Sequence, residues 1–287
     1  MNETIVWSEN RIMKVLIDNE EIKMMVSEKF LRPNNTLGGK SLADFMFQNT
    51  MNKLALYRKI FGVERLEKIC FETYDVDTEL DEFFKRRREV DKSPIPSYCR
   101  GFFDENSNLS CSCNHANAAY KSGWWYSAMG TNAHEAFHLY YKKYVYGDDR
   151  IVWFDEGMAQ FISGEKDWLL NDDVKFEQAF RKFLDDYVPI DNLNIRCHGK
   201  DEVSDEYIFD KPKVFRGYMA SFLIIKYIDE VYGRTYLYEL MKDDKKIREF
   251  GNRALEEMVS YYKKNILLVM VLNYKRNLFE KEEFYAM

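Results

Sequence analysis

The stretch TNAHEAFHLYYKKY, residues 131–144, decides the fold of this chain. It holds His134 and His138, two of only four histidines, with Glu135 between them. Residues four apart lie on one face of an α-helix and one turn from each other, so both imidazole rings project to the same side. Two such rings can bind one metal ion through nitrogens at about 2.0–2.1 Å. The stretch therefore predicts a helix that carries a metal site.

The residue between the two histidines has a different predicted task. Glu135 follows His134 by one position, which is a rotation of about 100° around a helix. Its carboxylate reaches the edge of the metal site but is poorly placed to be a ligand. A general base that takes a proton from water belongs in that position. We predict that Glu135 is catalytic and that the cofactor is one zinc ion per chain. The alternative is two histidines packed on a helix face, with Glu135 in solvent.

A catalytic zinc ion needs a third protein ligand and an open position. The best candidate is Glu156 in VWFDEGMAQF, residues 152–161, because it follows His138 by 18 positions in a second helical pattern. Turn formers between the two segments allow the helices to pack antiparallel. Gly157 has no side chain, which we expect to permit close approach beside the ion. Asp155 is a candidate for orienting a ligand.

A second group of possible ligands favours a core position instead. Cys111, Cys113 and His115 are spaced by two, with Cys99 upstream. On a strand these side chains share one face and stand in a row, so they do not converge on one point. Buried cysteines are also common in protein cores.

The composition excludes several classes of function. The chain has 287 residues, 46% of them hydrophobic, and a net charge of -6 from 42 basic and 48 acidic residues. Interspersed charges of both signs argue against nucleic acid or a membrane as the main partner. Five cysteines without a disulfide-framework spacing favour a reducing compartment, and no secretory signal is visible. The longest apolar run, ILLVMVL at 266–272, is far shorter than the ~20 residues of a membrane span, so we expect a cytoplasmic protein.

Hydrophobic periodicity predicts an α+β protein with a small mixed α/β upper lobe and a mostly helical lower lobe. We predict an N-terminal helical extension over 1–40, an α/β lobe over 41–146 that includes the histidine helix, and a mostly helical lobe over 147–287 that holds the third ligand. The local predictions are a helix over 41–61 capped by Gly62, a strand over 66–76, a helix over 78–90, a strand pair within 93–113 that turns at DENSN, a cap for the histidine helix at Thr131 or Asn132, and a long polar loop over 188–213.

HEAFH followed by WFDEGMA resembles the gluzincin metallopeptidases, the clan that includes thermolysin and the zinc aminopeptidases. The order of flanking segments is also similar to that of the bacterial peptidase-MA-like proteins, and the likeness covers roughly residues 45–245. The resemblance implies a zincin-like fold with an active-site cleft between the two lobes. It also implies a zinc ion held by His134, His138 and Glu156, with Glu135 as the general base.

The resemblance also suggests a further catalytic residue. In that clan a tyrosine or histidine some sixty residues beyond the glutamate ligand often stabilises the tetrahedral intermediate. Tyr218 lies 62 positions after Glu156 and is the first candidate, with Tyr207 and His198 in reserve. The alternative for Tyr218 is a packing tyrosine.

Two departures from the clan limit the activity that it implies. The spacing from His138 to Glu156 is one residue shorter than in the zinc aminopeptidases, and the Gly-x-Met-Glu-Asn stretch that binds a free amine is missing. We therefore expect a zinc-dependent endopeptidase or narrow-specificity peptidase rather than an aminopeptidase. Its partner is a peptide or protein substrate, paired with an edge strand predicted at 108–113. The alternatives are a non-catalytic binding or regulatory module that keeps the metallopeptidase fold, and a toxin-like protease.

Overall fold

The protein is described from a computed structural model. The chain divides into two compact units, Met1–Tyr144 and Val145–Met287, and its architecture is α+β as predicted. The described residues are 13–33, 38–92, 95, 97, 99–116, 125–146, 150–170, 177–181, 183, 198–200, 207–209, 211–251 and 253–264.

A five-stranded mixed sheet forms the centre of the first unit. Its strands are β1 (Met13–Asp18), β2 (Ile22–Ser27), β3 (Ile69–Asp75), β4 (Gly101–Asp104) and β5 (Leu109–Asn114). The order across the sheet is β1-β2-β3-β5-β4. β2, β3 and β5 run parallel, and the two edge strands, β1 and β4, each pair antiparallel with their neighbour.

The helices of the first unit are α1 (Leu42–Phe61), α2 (Val76–Val90) and α3 (Trp125–Tyr141). A short 3-10 helix, Glu28–Leu31, precedes α1, and a π turn, Lys142–Tyr146, continues α3. α3 carries the two histidines and packs against β3, β4 and β5, so the sheet supports the predicted site.

Local signals in the sequence set both ends of α1. Ser41 and Asp44 form a capping box, with 3.2 Å from the Asp44 amide to Ser41 Oγ and 2.8 Å from the Ser41 amide to Asp44 Oδ2. At the other end Gly62 adopts the left-handed conformation with φ 69°, which a glycine reaches without steric cost. The helix predicted over 41–61 is therefore confirmed.

The second unit is built mainly from helices. Its elements are α4 (Val152–Ser163), α5 (Asp167–Leu170), β6 (His198–Lys200), β7 (Tyr207–Phe209), α6 (Lys211–Tyr232) and α7 (Arg234–Leu240). Residues 177–181, 183, 244–251 and 253–264 are also helical. α4 and α6 pack directly on each other, and Trp153 and Phe154 of α4 are 2% and 0% exposed.

The N-terminal helical extension is wrong for the residues that the structure describes. Residues 13–27 form the antiparallel pair of β1 and β2 instead. Asn19 makes the turn between them, because its Oδ1 accepts hydrogen bonds from the amides of Glu21 and Ile22, both at 2.8 Å. Charged and apolar residues alternate in these short strands, and this pattern was interpreted as an amphipathic helix. Residues 1–12 and 34–37 of the predicted extension lie outside the described part.

Three other predictions need correction. The strand predicted to be an edge corresponds to β5, which lies between β3 and β4, and the edge on that side is β4. The histidine helix does not begin at Thr131 or Asn132 but at Trp125, and Asn132 is buried in its interior. The long polar loop contains β6 and β7, which pair antiparallel, and the first residues of α6.

Three further predictions are confirmed. The strand over 66–76 corresponds to β3, the helix over 78–90 to α2, and the hairpin at DENSN to the β4–β5 pair.

None of the helices described here is both long enough and apolar enough to cross a membrane. Cys99 and Cys113, two cysteines of the described residues, are free thiols. The cytoplasmic location stays a prediction.

Candidate metal centre

The two histidines of α3 face each other. Their Nε2 atoms lie 2.9 Å apart, and the ring centroids are separated by 4.6 Å. His134 is 8% exposed and His138 3%. The spacing of four along the helix places both rings on the buried face, as the sequence predicts. Phe103 of β4 lies beside the pair, with its ring centroid 5.8 Å from that of His138.

Glu135 lies against the edge strand of the sheet. A Cβ atom built on Gly101 of β4 would meet Glu135 Cδ at 2.8 Å and Cγ at 3.0 Å, with Oε1 closer still. Glu135 is only 9% exposed, so it is not the solvated carboxylate of the alternative interpretation. The missing side chain of Gly101 leaves the space that the Glu135 carboxylate fills.

A buried polar network anchors α3 two residues before His134. Ser112 Oγ donates to Asn132 Oδ1 at 2.6 Å, and Asn132 Nδ2 donates to Thr73 Oγ1 at 2.9 Å. Ser110 Oγ donates to the Asn132 carbonyl at 3.0 Å. All four side chains are 0% exposed, so each polar atom has to find its partner inside the protein. The network fixes the position of α3 along its axis relative to β3 and β5.

The packing of α1 adds a further hydrogen bond to the same turn of α3. Tyr57 Oη donates to the carbonyl oxygen of Ala133 at 2.8 Å. Tyr57 is 0% exposed, and burial raises the pKa of its phenol well above the usual range. The phenol therefore stays protonated and remains a hydrogen-bond donor.

Glu156 lies in the first turns of α4 beside a half-buried arginine. Arg150 Nη2 lies 2.7 Å from Glu156 Oε1, and Arg150 Nε forms an ion pair with Asp155 Oδ2. The Asp155 side chain is 0% exposed and the Glu156 side chain 13%. Asp155, which the sequence marked as a group that orients a ligand, thus contacts Arg150.

His134, His138 and Glu156 can bind a metal ion. Each offers one ligand atom, and these atoms all lie within 4.8 Å of one another. In the described part of the chain, no other group of His, Cys, Asp and Glu meets that condition. Donor nitrogens of a tetrahedral zinc site are about 3.3 Å apart for bonds of about 2.0–2.1 Å, so the two rings need to separate only slightly. Two imidazoles and a carboxylate suit zinc and other divalent ions.

Gly157 was predicted to permit close approach beside the metal ion, but the structure shows that it permits close approach of α6. A Cβ atom there would lie 2.5 Å from the Ser221 carbonyl oxygen and 2.7 Å from Ile225 Cγ1, both on α6. Gly157 therefore permits α4 and α6 to touch, and this contact sets the position of the helix that carries Glu156.

Three residues remain as candidates for stabilising the tetrahedral intermediate, and the structure describes the side chain of only one of them. Tyr218 lies in α6, half-buried, and its carbonyl oxygen accepts a hydrogen bond from Gln160 Nε2 at 3.1 Å. The catalytic task of its hydroxyl stays a prediction. Tyr207 and His198 lie in the short strands β7 and β6, and their side chains are outside the described part.

The cysteine group belongs to the core, as the sequence favoured. Cys111 and Cys113 are 0% exposed in a hydrophobic cluster under α2, and Cys99 packs against it. His115 is exposed, with Nδ1 2.9 Å from Asp77 Oδ1. Burial, followed by the nearby charge of Glu135, raises the pKa of the Cys99 thiol to about 11.

No protein-family model matches the chain, and no curated protein matches it either.

Sequence reasoning missed the roles of three residues that shape the site. Gly101 and Asn132 act through packing between distant segments, which leaves no local signal. Arg150 did leave one: a cation just before a helix N-terminus is unfavourable next to the positive end of the helix dipole, unless carboxylates compensate for it. The acidic pair Asp155 and Glu156 a few residues later supplies that compensation.

Proposed function

We propose that the protein is a zinc-dependent peptidase of the gluzincin type, with His134, His138 and Glu156 as ligands and Glu135 as general base. The observation that carries this proposal is the convergence of three ligand atoms within 4.8 Å. A structural metal site needs no additional carboxylate, yet Glu135 stands on the same helix and is held in a pocket beside Gly101.

The chemistry divides between the ion and the side chains. A zinc ion held by His134, His138 and Glu156 would polarise the substrate carbonyl and would lower the pKa of a water from about 15.7 to about 7. Glu135 accepts the proton of the attacking water and passes it to the leaving nitrogen. Tyr218 remains the candidate donor to the oxyanion, for which such a hydrogen bond contributes about 3–4 kcal/mol.

The substrate strand is expected to pair with β4 rather than β5. β4 is an edge of the sheet and so has a row of backbone groups available for an added strand. Gly101 lies in this strand and touches the Glu135 carboxylate. An extended peptide paired with β4 would therefore pass within reach of the general base. This arrangement favours an endopeptidase, because a strand that continues past Glu135 needs no free terminus.

The test combines metal content with peptide cleavage. Purified wild-type protein should contain about one zinc ion per chain and cleave members of a mixed peptide library. Glu135→Gln should keep the metal and lose cleavage. His138→Ala should lose the metal, whereas His115→Ala, a matched change at an exposed histidine, should keep it.

The non-catalytic alternative makes a different prediction for the same samples. A binding or regulatory module would hold the metal in both wild type and Glu135→Gln and would cleave no peptide in either. Such a result would refute the peptidase proposal while leaving the metal site intact.

A further inference from the structure

Arg150 makes a contact that the proposed mechanism does not use. It lies just before α4 and bridges two carboxylates, with Nε on Asp155 Oδ2 and Nη2 on Glu156 Oε1 at 2.7 Å. The Arg150 side chain is only 17% exposed. A guanidinium has a rigid planar fork of donors, so Arg150 holds one oxygen of each carboxylate at a fixed position relative to the other.

The charge of Arg150 is permanent. Burial opposes that charge, but the carboxylates of Asp155 and Glu156 outweigh the effect and raise the pKa of Arg150 further. Asp155 alone balances the charge of the half-buried Arg150. Neutralising Asp155 is thus one task for Arg150, and it leaves the contact with Glu156 unexplained.

We propose that Arg150 is a positioning residue that reserves Glu156 Oε1, so that Glu156 can donate only its other oxygen to the metal ion. This inference rests on the proposed assignment of Glu156 as a metal ligand. A carboxylate that bound the ion through both oxygens would make the ion and Arg150 compete for the lone pairs of Oε1, at the expense of the charge-assisted hydrogen bond. One-oxygen ligation with two histidines leaves the fourth position of a tetrahedral site open.

Removing Arg150 alone would leave the buried Asp155 without its countercharge and would destabilise the second unit. The informative comparison is therefore between Asp155→Asn and the double variant Arg150→Met/Asp155→Asn. The single variant keeps the Arg150–Glu156 hydrogen bond, and the double variant removes it without leaving a buried charge on Asp155. The two proteins differ only at Arg150.

Cobalt(II) is a suitable probe, because four-coordinate cobalt absorbs visible light several-fold more strongly than five- or six-coordinate cobalt. Wild type and Asp155→Asn loaded with cobalt should both give the intense four-coordinate spectrum. The double variant should bind cobalt with an absorption per bound ion reduced several-fold, because Glu156 then binds through both oxygens. An intense spectrum in the double variant at full occupancy would overturn the proposal.

A second measurement needs no variant. X-ray absorption of wild type loaded with zinc should give a shell of four nitrogen and oxygen ligands near 2.0–2.1 Å, roughly as in other tetrahedral sites. A five-ligand shell with two glutamate oxygens would overturn the proposal. Both experiments observe metal coordination rather than peptide hydrolysis. A protein that shows the expected coordination but cleaves no peptide would therefore refute the proposed peptidase activity and leave the proposed role of Arg150 intact. A wild type that binds no metal refutes both.

Discussion

Gly101 and Glu135 are in such close contact that no side chain fits between them. A Cβ atom on Gly101 would lie 2.8 Å from Glu135 Cδ, which is inside any normal contact distance. The contact joins the edge strand β4 to the helix that carries the two histidines. It also places the only predicted general base against the strand that we expect to bind substrate.

The first prediction concerns Gly101→Ala. The new methyl group meets the far end of a flexible side chain, so Glu135 should rotate away with little loss of stability. A displacement of about 1 Å in a catalytic group can cost roughly 100-fold in rate. We expect peptide cleavage to fall by about that factor, with zinc affinity and the thermal midpoint nearly unchanged. Unchanged cleavage in Gly101→Ala would show that the position of Glu135 does not limit the reaction.

Substitution of Gly157, unlike that of Gly101, is expected to lower the stability of the protein. In Gly157→Ala the methyl group meets the Ser221 carbonyl oxygen at 2.5 Å, and a backbone atom cannot move aside as a carboxylate can. We expect α4 and α6 to separate, at a cost of about 1–3 kcal/mol in the free energy of unfolding. Urea denaturation of Gly157→Ala beside Gly101→Ala is the check. Equal stability of the two variants would contradict the packing described here.

The parts of the fold that the sequence predicted correctly depend on local signals. Ser41 and Gly62 specify the two ends of α1 through contacts within a few residues. The spacing of His134 and His138 likewise needs only the helical repeat. These predictions hold whatever the rest of the chain does.

The errors occur where distant segments decide the outcome. The sequence around β5 indicates a hairpin, but only the pairing of β5 with β3 places it inside the sheet and leaves β4 at the edge. Asparagine is a residue type that is common at helix N-caps. Asn132 nevertheless lies in the helix interior, where three buried residues of β3 and β5 form hydrogen bonds with it. A capping preference is weak beside a buried hydrogen-bond network of this size.

The buried thiols predict a loss of stability in alkali. Burial, partly offset by Arg100, raises the pKa of Cys113 from 9.0 to about 12, and Cys99 is raised to about 11. Below about pH 9 both thiols are protonated in either state, so their contribution to stability is complete. Above that pH the unfolded chain loses protons that the folded chain keeps, and the free energy of unfolding falls until the folded pKa values are passed. At about pH 10 the loss is on the order of 1 kcal/mol per thiol.

Urea midpoints at about pH 8 and about pH 10 measure this effect. Wild type should lose more stability between the two than Cys99→Ala/Cys113→Ala does. Buried tyrosines such as Tyr57 also have raised pKa values, but they contribute equally to both proteins and cancel in the comparison. The same fall in both proteins would mean that the thiols do not contribute.

The polar network under α3 predicts a large effect for a small truncation. Asn132→Ala removes the Asn132 side chain that the buried hydroxyls of Thr73 and Ser112 contact, and leaves them only their 3.2 Å hydrogen bond to each other. We expect a loss of about 2–3 kcal/mol in the free energy of unfolding, since each unsatisfied buried polar group costs about 1–3 kcal/mol. Asn52→Ala, at an exposed position of α1, should change stability by less than about 0.5 kcal/mol. Because Asn132 also fixes the turn before His134, zinc affinity should fall in Asn132→Ala and not in Asn52→Ala. Zinc binding with wild-type affinity in a destabilised Asn132→Ala would separate the two tasks and show that the network supports the fold alone.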